Sequence, residues 1–366
     1  MKIKCTQHDL SSALAIVNRA VSSNNTLPVL NNIRLFAEKG ELKLSATNLE
    51  IAINATVMAE VEREGSITVP AKSIAAYIGL LKNEMLELEL SGTDLLIKST
   101  GSDTNMKGIP SDEFPLLPKI DSGITLFLPA DAVRNAIDMV AFAASTNISR
   151  PVLTGIFWQM SGDSMKLAAT DSYRLAEKTM VLEENIEEDV KFILPAKTAQ
   201  ELSKILGMLD CETLEMRIGK GQIVFTANGV ELTSRLIEGN FPDYEKILPT
   251  ESKTKANILT DDLTLALKKM SVIVRDNNNN VKLSVGSGKV SIVSDETQVG
   301  YGNSDLEAET NGDTQETALN ASYVLEVLSH LKDDRVYLGL NDGLSPVKVE
   351  PAEESGYVHI IMPLKI

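Results

Sequence analysis

Val69-Pro70-Ala71-Lys72-Ser73 returns as Leu194-Pro195-Ala196-Lys197-Thr198 and again as Leu319-Asn320-Ala321-Ser322-Tyr323, at two equal steps of 125 residues. The apolar pattern behind each copy is the stronger sign. Ile74, Tyr77, Ile78 and Leu81 stand at i, i+3, i+4 and i+7, one face of a helix. The same offsets reach Ala199, Leu202, Ser203 and Leu206, then Val324, Val327, Leu328 and Leu331. Among these positions only Ser203 is clearly polar, which chance does not readily produce.

Working outward, the repeat lengthens in both directions. Pro28-Val29-Leu30 recurs as Pro151-Val152-Leu153, and LKLSATN (42–48) as MKLAATD (165–171), more faintly as VSIVSDE (290–296). A further helix opens each copy at 9–21, 130–145 and 261–274, with acidic residues in or just before its first turn, where they favour the positive helix end. Between the helices lie short alternating runs such as ELKLSA, MLELEL, QIVFTA and RVYLGL, separated by glycine-bearing turns like Lys39-Gly40 and Gly219-Lys220-Gly221. That is the pattern of antiparallel hairpins. IPSDEFPLLP (109–118) and IEGNFPDYEKILP (237–249) each place Phe-Pro in an extended, helix-breaking segment. Each copy reads as two helices and about eight strands, an α+β class. Units of this size exceed a solenoid repeat, so the chain divides into three homologous domains, 1–120, 121–250 and 251–366.

Composition narrows the partners. The chain has 366 residues, 35 Lys+Arg against 51 Asp+Glu, a net charge of −16 and 43% hydrophobic residues, which excludes disordered and collagen-like classes. No apolar run approaches the ~18–20 residues that span a bilayer, and MKIKCTQHDLSS lacks the apolar core of a secretory signal. Cys5 and Cys211 form no framework and read as ordinary small buried residues, so a cytoplasmic protein is expected. Such an acidic surface repels nucleic acid, so any contact with it must be confined to a local basic strip. Over the six helical segments Lys+Arg number ten and Asp+Glu seven, against 25 and 44 in the remainder.

Catalytic and metal signatures are missing. Gly286-Ser287-Gly288-Lys289 lacks the upstream glycine and the following Ser/Thr of a phosphate loop and reads as a hairpin turn. His8, His330 and His359 are too scattered for metal spacing. There is no G-x-S-x-G, and the acidic run Glu183–Asp189 reads as a solvated turn. No cofactor, metal or catalytic residue is expected. A carboxylate hydrolase using Asp171 and Asp295 is the competing enzyme reading, weakened because these occupy equivalent positions in separate repeats.

TLPVLNNI (26–33), Ala169-Thr170-Asp171 followed by Arg174-Leu175-Ala176, NFPDYEKILP (240–249) and YVHIIMPLKI (357–366) together resemble the bacterial β sliding clamps, the processivity subunits of the replicative DNA polymerase III. The resemblance covers the whole chain. It implies three DNA-clamp domains, each two helices on antiparallel sheets, forming half of a six-domain ring, and a head-to-tail homodimer around duplex DNA. Twelve helices at about 10 Å spacing would line a circle about 38 Å across at their axes, leaving an opening of about 28 Å. The resemblance further implies sequence-independent DNA contacts at Lys72, Lys197, Lys204, Asn147, Arg150 and Asn24, with Asn25 beside it. The family often has arginine in that first loop. It implies a hydrophobic cleft for short linear peptides, with Leu153, Thr170, Tyr173, Arg174, Leu175, Pro242, Lys246, Ile247, Leu344, Ile360, Met362, Pro363 and Leu364 as its wall. Tyr173 and Lys246 stand where histidine and arginine are common, and Asn278 where an aromatic is common. Implied partners are the polymerase alpha subunit, the clamp loader delta subunit, repair polymerases and mismatch-repair proteins, but no membrane. The subunit joint would use Met106, Val272 and Ile273. The chain itself would be non-catalytic within the polymerase (nucleotidyltransferase) holoenzyme. The alternative is a clamp-like paralogue that binds partner peptides without encircling DNA.

Overall fold

Antiparallel strand pairing organises the chain, and helices are laid on the sheets. The computed structural model describes residues 1–21, 27–117, 120, 122–353 and 355–364, with the backbone alone at 184. Its helices are α1 (Gln7–Val17), α2 (Ala71–Leu80), α3 (Ala130–Val140), α4 (Ala196–Leu206), α5 (Thr260–Val274) and α6 (Ala321–Leu328), two to each sequence repeat. Two units emerge: 1–131 with 201–236, and 132–200 with 237–366.

In the first unit, Glu60–Arg63, Lys2–Thr6, Met85–Ser91, Asp94–Ser99 and Ser102–Lys107 form a five-stranded sheet in that order. Residues 3 and 5 of the strand Lys2–Thr6 face inward and 2, 4 and 6 do not, the period of two that a half-buried strand demands. Thr6 then caps α1. Its hydroxyl accepts the Asp9 N–H at 3.1 Å and donates to the Asp9 carboxylate at 2.6 Å, satisfying a free end of the helix. Leu10, Leu14 and Val17 put the buried face of α1 into the core. Gln7 Nε2 donates 2.8 Å to the carbonyl of Ile78, near the end of α2.

The larger sheet of this unit crosses the repeat boundary. Its order is Ile124–Pro129, Thr213–Gly219, Gln222–Ala227, Val230–Arg235, Ile51–Met58, Glu41–Thr47, Asn32–Glu38 and Gly65–Pro70. Val230–Arg235 of the second repeat pairs with Ile51–Met58 of the first, from Val230 opposite Ala55 to Ser234 opposite Ile51. Strand Asn32–Glu38 turns into Glu41–Thr47 through Lys39 and Gly40, both at positive φ (49° and 85°). That is the two-residue turn whose twist matches the strands.

The second unit repeats the device. Gly155–Thr170, Arg174–Pro195, Tyr357–Ile361, Val347–Pro351, Arg335–Leu340, Thr254–Leu259 and Glu309–Asn311 form a seven-stranded sheet, again joining two repeats. Asn303–Glu307, Lys289–Val293, Asn280–Gly286 and Gln315–Asn320 form a four-stranded one. Among the described residues the second repeat has six strands rather than the eight expected, because shorter runs fuse into a hairpin of 16- and 22-residue strands. Register shifts on both sides of Gly162 (φ 59°) absorb the mismatch. Glu183–Asp189, read from sequence as a turn, therefore lies within a strand, with Ile186 paired to Gly162. Burial of Ile186 and Val190 outweighs the exposed acidic residues around them. Gly286-Ser287-Gly288-Lys289 is a hairpin turn, with Ser287 and Gly288 at positive φ between paired Gly286 and Lys289.

Cys5 is buried, and burial pushes its thiol up to about 12, with the nearby Asp9 carboxylate adding to the effect. Cys211 is only half-buried. Iodoacetamide at pH 8 should therefore alkylate Cys211 in the folded protein and reach Cys5 only after unfolding in urea. Equal labelling of both thiols, read by peptide mass, would contradict the placement.

Candidate functional site

The turn between Thr170 and Arg174 builds one wall of a cleft in the second unit. Thr170 Oγ1 donates to the Arg174 carbonyl at 2.6 Å and accepts the Ser172 N–H at 3.1 Å. The Asp171 carboxylate accepts the N–H groups of Tyr173 (2.9 Å) and Arg174 (3.0 Å). Ser172 is thereby held at φ 81°. Short polar side chains that bond their own backbone are what such a turn needs.

The turn aims Arg174 inward, where 8% of its surface is exposed. A buried guanidinium must be paired, and this one is. Nε donates to Asp171 at 3.1 Å, Nη2 to the Phe142 carbonyl at 2.8 Å, and Nη1 to the Glu326 carboxylate on α6. The cation also lies over the Tyr323 ring at 4.8 Å and that of Phe142 at 5.5 Å. Beneath it His359 is fully buried and stacks on Phe142, its Nε2 without a partner among the described residues. Burial first, then Arg174 and His330, lower its pKa to about 3.

The second wall is the Phe-Pro segment. Phe241 stacks on Phe157 at 5.1 Å, and both meet Tyr244 edge-on. The Tyr244 hydroxyl donates 2.6 Å to the buried Glu177 carboxylate, and burial, then this bond, push its pKa up. A 3-10 turn over Tyr244–Ile247 presents Ile247 to the cleft, 42% exposed. The floor comes from the last strand: Ile360 pairs across from Leu175, and the Met362 N–H donates 2.8 Å to the Tyr173 carbonyl.

The resulting cleft has a volume of about 150 Å³. It gathers Leu153, Thr170, Arg174, Leu175, Pro242, Ile247, Ile360 and Met362 of the residues named from sequence. Ser172, Asp243 and Tyr244, which sequence reasoning left out, also line it. Ser172 lies between Asp171 and Arg174, and Asp243 and Tyr244 lie within NFPDYEKILP, so the signal was at hand. Tyr173, Lys246, Leu344, Pro363 and Leu364 are not in its lining. Tyr173 and Leu344 are largely exposed, Lys246 pairs with Asp243 at 2.6 Å, and the Leu364 N–H donates to the Ala318 carbonyl at 2.8 Å.

The described DNA candidates are exposed but unequally free. Lys72 on α2 and Lys197 on α4 lie open to solvent. Lys204 sits 2.7 Å from Glu201, a carboxylate it shares with Arg19 at 2.9 Å, so the cluster keeps a net positive charge. Asn147 Oδ1 accepts the Ser149 N–H, and Arg150 donates to Ser172 Oγ at 3.3 Å. Asn24 and Asn25 lie outside the described residues. Met106 is half-buried in Ser102–Lys107, the edge of its sheet, while Val272 (72% exposed) and the half-buried Ile273 end α5. Among the described residues no group of three or more His, Cys, Asp or Glu could hold a metal ion, and no helix is long and apolar enough to cross a membrane.

Comparison with known proteins places this geometry. Models of the DNA polymerase III beta subunit match over 1–118 (N-terminal domain), 127–243 (central domain) and 245–365 (C-terminal domain). The beta sliding clamp of Synechococcus elongatus is 30% identical over 373 residues, covering 100% of both chains, and that of Staphylococcus epidermidis 29% over 358 residues, covering 95% of this chain and 94% of the relative. Among solved structures, the beta subunit of Thermotoga maritima aligns with TM-score 0.94 at 28% identity (100% of this chain, 99% of that one). A Pseudomonas aeruginosa sliding clamp bound to griselimycin aligns with 0.95 at 26%, covering 100% of both. The fold and site define a three-domain clamp. The chain belongs to the sliding-clamp family of the DNA polymerase III beta type.

Two changes test the site. Tyr244→Phe removes the donor to a buried carboxylate and should cost about 1–3 kcal/mol in urea unfolding, while Glu177→Gln on top of it should recover part of the loss. His359 carries a folded pKa below its unfolded value, so below about pH 6.5 the unfolded chain takes up a proton that the folded one refuses. Stability is then expected to fall between pH 6.5 and 4.5 more steeply in the wild type than in His359→Gln, by up to about 1.4 kcal/mol per pH unit. Parallel slopes would show that the histidine is not responsible.

Proposed function

We propose that two copies of this chain close head to tail into a ring around duplex DNA and tether DNA-acting enzymes through the cleft between Leu153 and Met362. The ring would comprise six domains, with sequence boundaries near 120 and 250. The chain has no bond-making role in this reading: the polymerase supplies the chemistry and a separate ATPase the energy of loading. Peptides from the polymerase alpha subunit, the clamp loader delta subunit, repair polymerases and mismatch-repair proteins would occupy the cleft in turn.

The cleft is the observation that carries the reading. It is apolar, small and bordered by a fixed guanidinium, suited to one or two anchor side chains. Burying one leucine-sized side chain contributes about 1.5–3 kcal/mol, less than the ~4 kcal/mol or more that association costs. Peptide contact alone is thus weak, and enclosure of the DNA supplies the persistence. Enclosure also agrees with the acidic balance of −16, since a ring needs few phosphate contacts, and sequence-independent ones let it slide. The joint would bring the edge strand holding Met106 against the end of α5. Val272, Val299 and Tyr301 leave an exposed apolar surface near the outer strand Asn303–Glu307, and pairing would remove two open sheet edges.

Light scattering should give a species near twice 39.7 kDa, and Val272→Asp should shift it towards the monomer. Loaded by a bacterial clamp loader onto nicked circular DNA, the chain should survive a high-salt wash and be lost when the circle is cut. A second reading, a paralogue that binds peptides without holding DNA, is favoured by the strongly acidic balance of −16 and by the ion pair that holds Lys204 to Glu201. Peptide binding without retention on the uncut circle would establish it.

A further inference from the structure

The turn that builds the cleft at Thr170–Arg174 occurs a second time, in the first unit, bond for bond. Thr47 Oγ1 donates to the Ile51 carbonyl at 2.7 Å and accepts the Leu49 N–H at 3.0 Å. Asn48 Oδ1 accepts the N–H groups of Glu50 and Ile51, both at 2.9 Å. Leu49 sits at φ 74°, as Ser172 does at 81°. The strand beyond is matched too: Ala52 lies opposite Thr233 as Leu175 lies opposite Ile360, and the Arg235 N–H donates to the Glu50 carbonyl at 3.2 Å as that of Met362 does to Tyr173. Pro115-Leu116-Leu117 follows Phe114 as Pro242-Asp243-Tyr244 follows Phe241. These elements enclose a cavity of about 280 Å³, nearly twice the other.

Its chemistry differs at equivalent positions. Leu49 replaces Ser172 and Leu116 replaces Asp243, so the rim becomes apolar where the other cleft is polar. Leu49 is 51% exposed in a backbone conformation uncommon for a residue with a Cβ, and Leu116 is 97% exposed. Leu116 is no loose end: Phe114 before it is buried against Val29 and Leu30, and Leu117 after it packs on the same cluster. The floor becomes polar, with Thr233 for Ile360 and Arg235 for Met362. In the other cleft the guanidinium of Arg174 is spent on Asp171 and Glu326. Here, among the described residues, no ion pair or hydrogen bond engages the Arg235 guanidinium, and Arg235 is exposed. Glu50 is the one carboxylate of the lining.

We propose that this second cleft, between the turn at Thr47–Ile51 and the Pro115–Leu117 segment, binds an extended peptide of a partner protein, an apolar side chain packing on Leu49 and Leu116 and a neighbouring carboxylate pairing with Arg235. A charge-assisted bond is the stronger kind, and Glu50 repels the acid from any other register. The two clefts then sort peptides by charge, apolar segments to one and apolar-acidic segments to the other, through an attractive and a repulsive element together. The proposal rests on the shared turn and the lining, and not on occupation of the cleft at Leu153–Met362.

The probe is a fluorescein-labelled octapeptide with a central Leu-Leu-Asp and glycine-serine ends, titrated with the full chain and read by anisotropy. Saturable binding is expected, weakened about tenfold or more by Arg235→Glu, weakened by Leu116→Ser, tightened by Glu50→Gln and unmoved by Ile247→Asp in the other cleft. Asn in place of the probe's Asp should also weaken binding, but by less than Arg235→Glu, which adds a like-charge repulsion to the lost bond. All three residues substituted in this cleft are exposed, so the fold should persist, and thermal melting checks it. The proposal is overturned by absence of saturable binding, by loss in Ile247→Asp with no change in Arg235→Glu, or by a change of solution mass in Leu116→Ser, which would mark this face as a contact between copies. A separate, uncharged leucine-rich peptide lost only in Ile247→Asp tests the other cleft, so either reading can fail alone.

Discussion

Backbone hydrogen bonds that cross from one repeat into the next are the constraint on which the remaining structure depends. A repeat of about 120 residues ends in a strand with an open edge, and unpaired edges are costly or hazardous. Here Ile51–Met58 pairs with Val230–Arg235, and Arg174–Pro195 with Tyr357–Ile361. Each pairing brings the turn of one repeat beside the last strand of the following one. The Phe-Pro segment, whose proline has no N–H to extend a strand ladder, closes the third side. A cleft at each such junction is thus a by-product of finishing the sheets.

What differs between the two junctions is where charge is placed. Arg174 is buried, and breaking its pairing would leave charges in a poorly solvated site. Asp171, Glu326 and the Phe142 carbonyl therefore converge on it from three segments. That convergence ties the cleft wall to α6, and through Phe142 to the chain just beyond α3. At the other junction the equivalent position is Ile51, which needs no such partners, and the cation appears instead on the neighbouring strand as Arg235. One backbone frame thus supports two electrostatically different surfaces.

Much of the site was legible in the linear chain. The family resemblance named eight of the lining residues, five of them in the run Ala169–Ala176 and in NFPDYEKILP, and the other three, Leu153, Ile360 and Met362, in segments distant along the chain. The i, i+3 spacing of Glu201 and Lys204 is equally legible as a pair. The bond from Tyr244 to Glu177 was not, since 67 residues separate them and no local pattern links a phenol to a distant carboxylate. Nor was the strand through Glu183–Asp189, where cross-strand pairing overrode acidic composition.

By itself the sequence determined the repeat, its period, the helix faces and the hairpin turns, all of which follow from contacts a few residues apart. Tertiary structure alone decided which strand completes which sheet, that the second repeat contributes strands to both compact units, and which charges remain free. Those outcomes depend on long-range pairing and burial. Pairing and desolvation are properties of the assembled surface, where a residue's partner lies in another repeat.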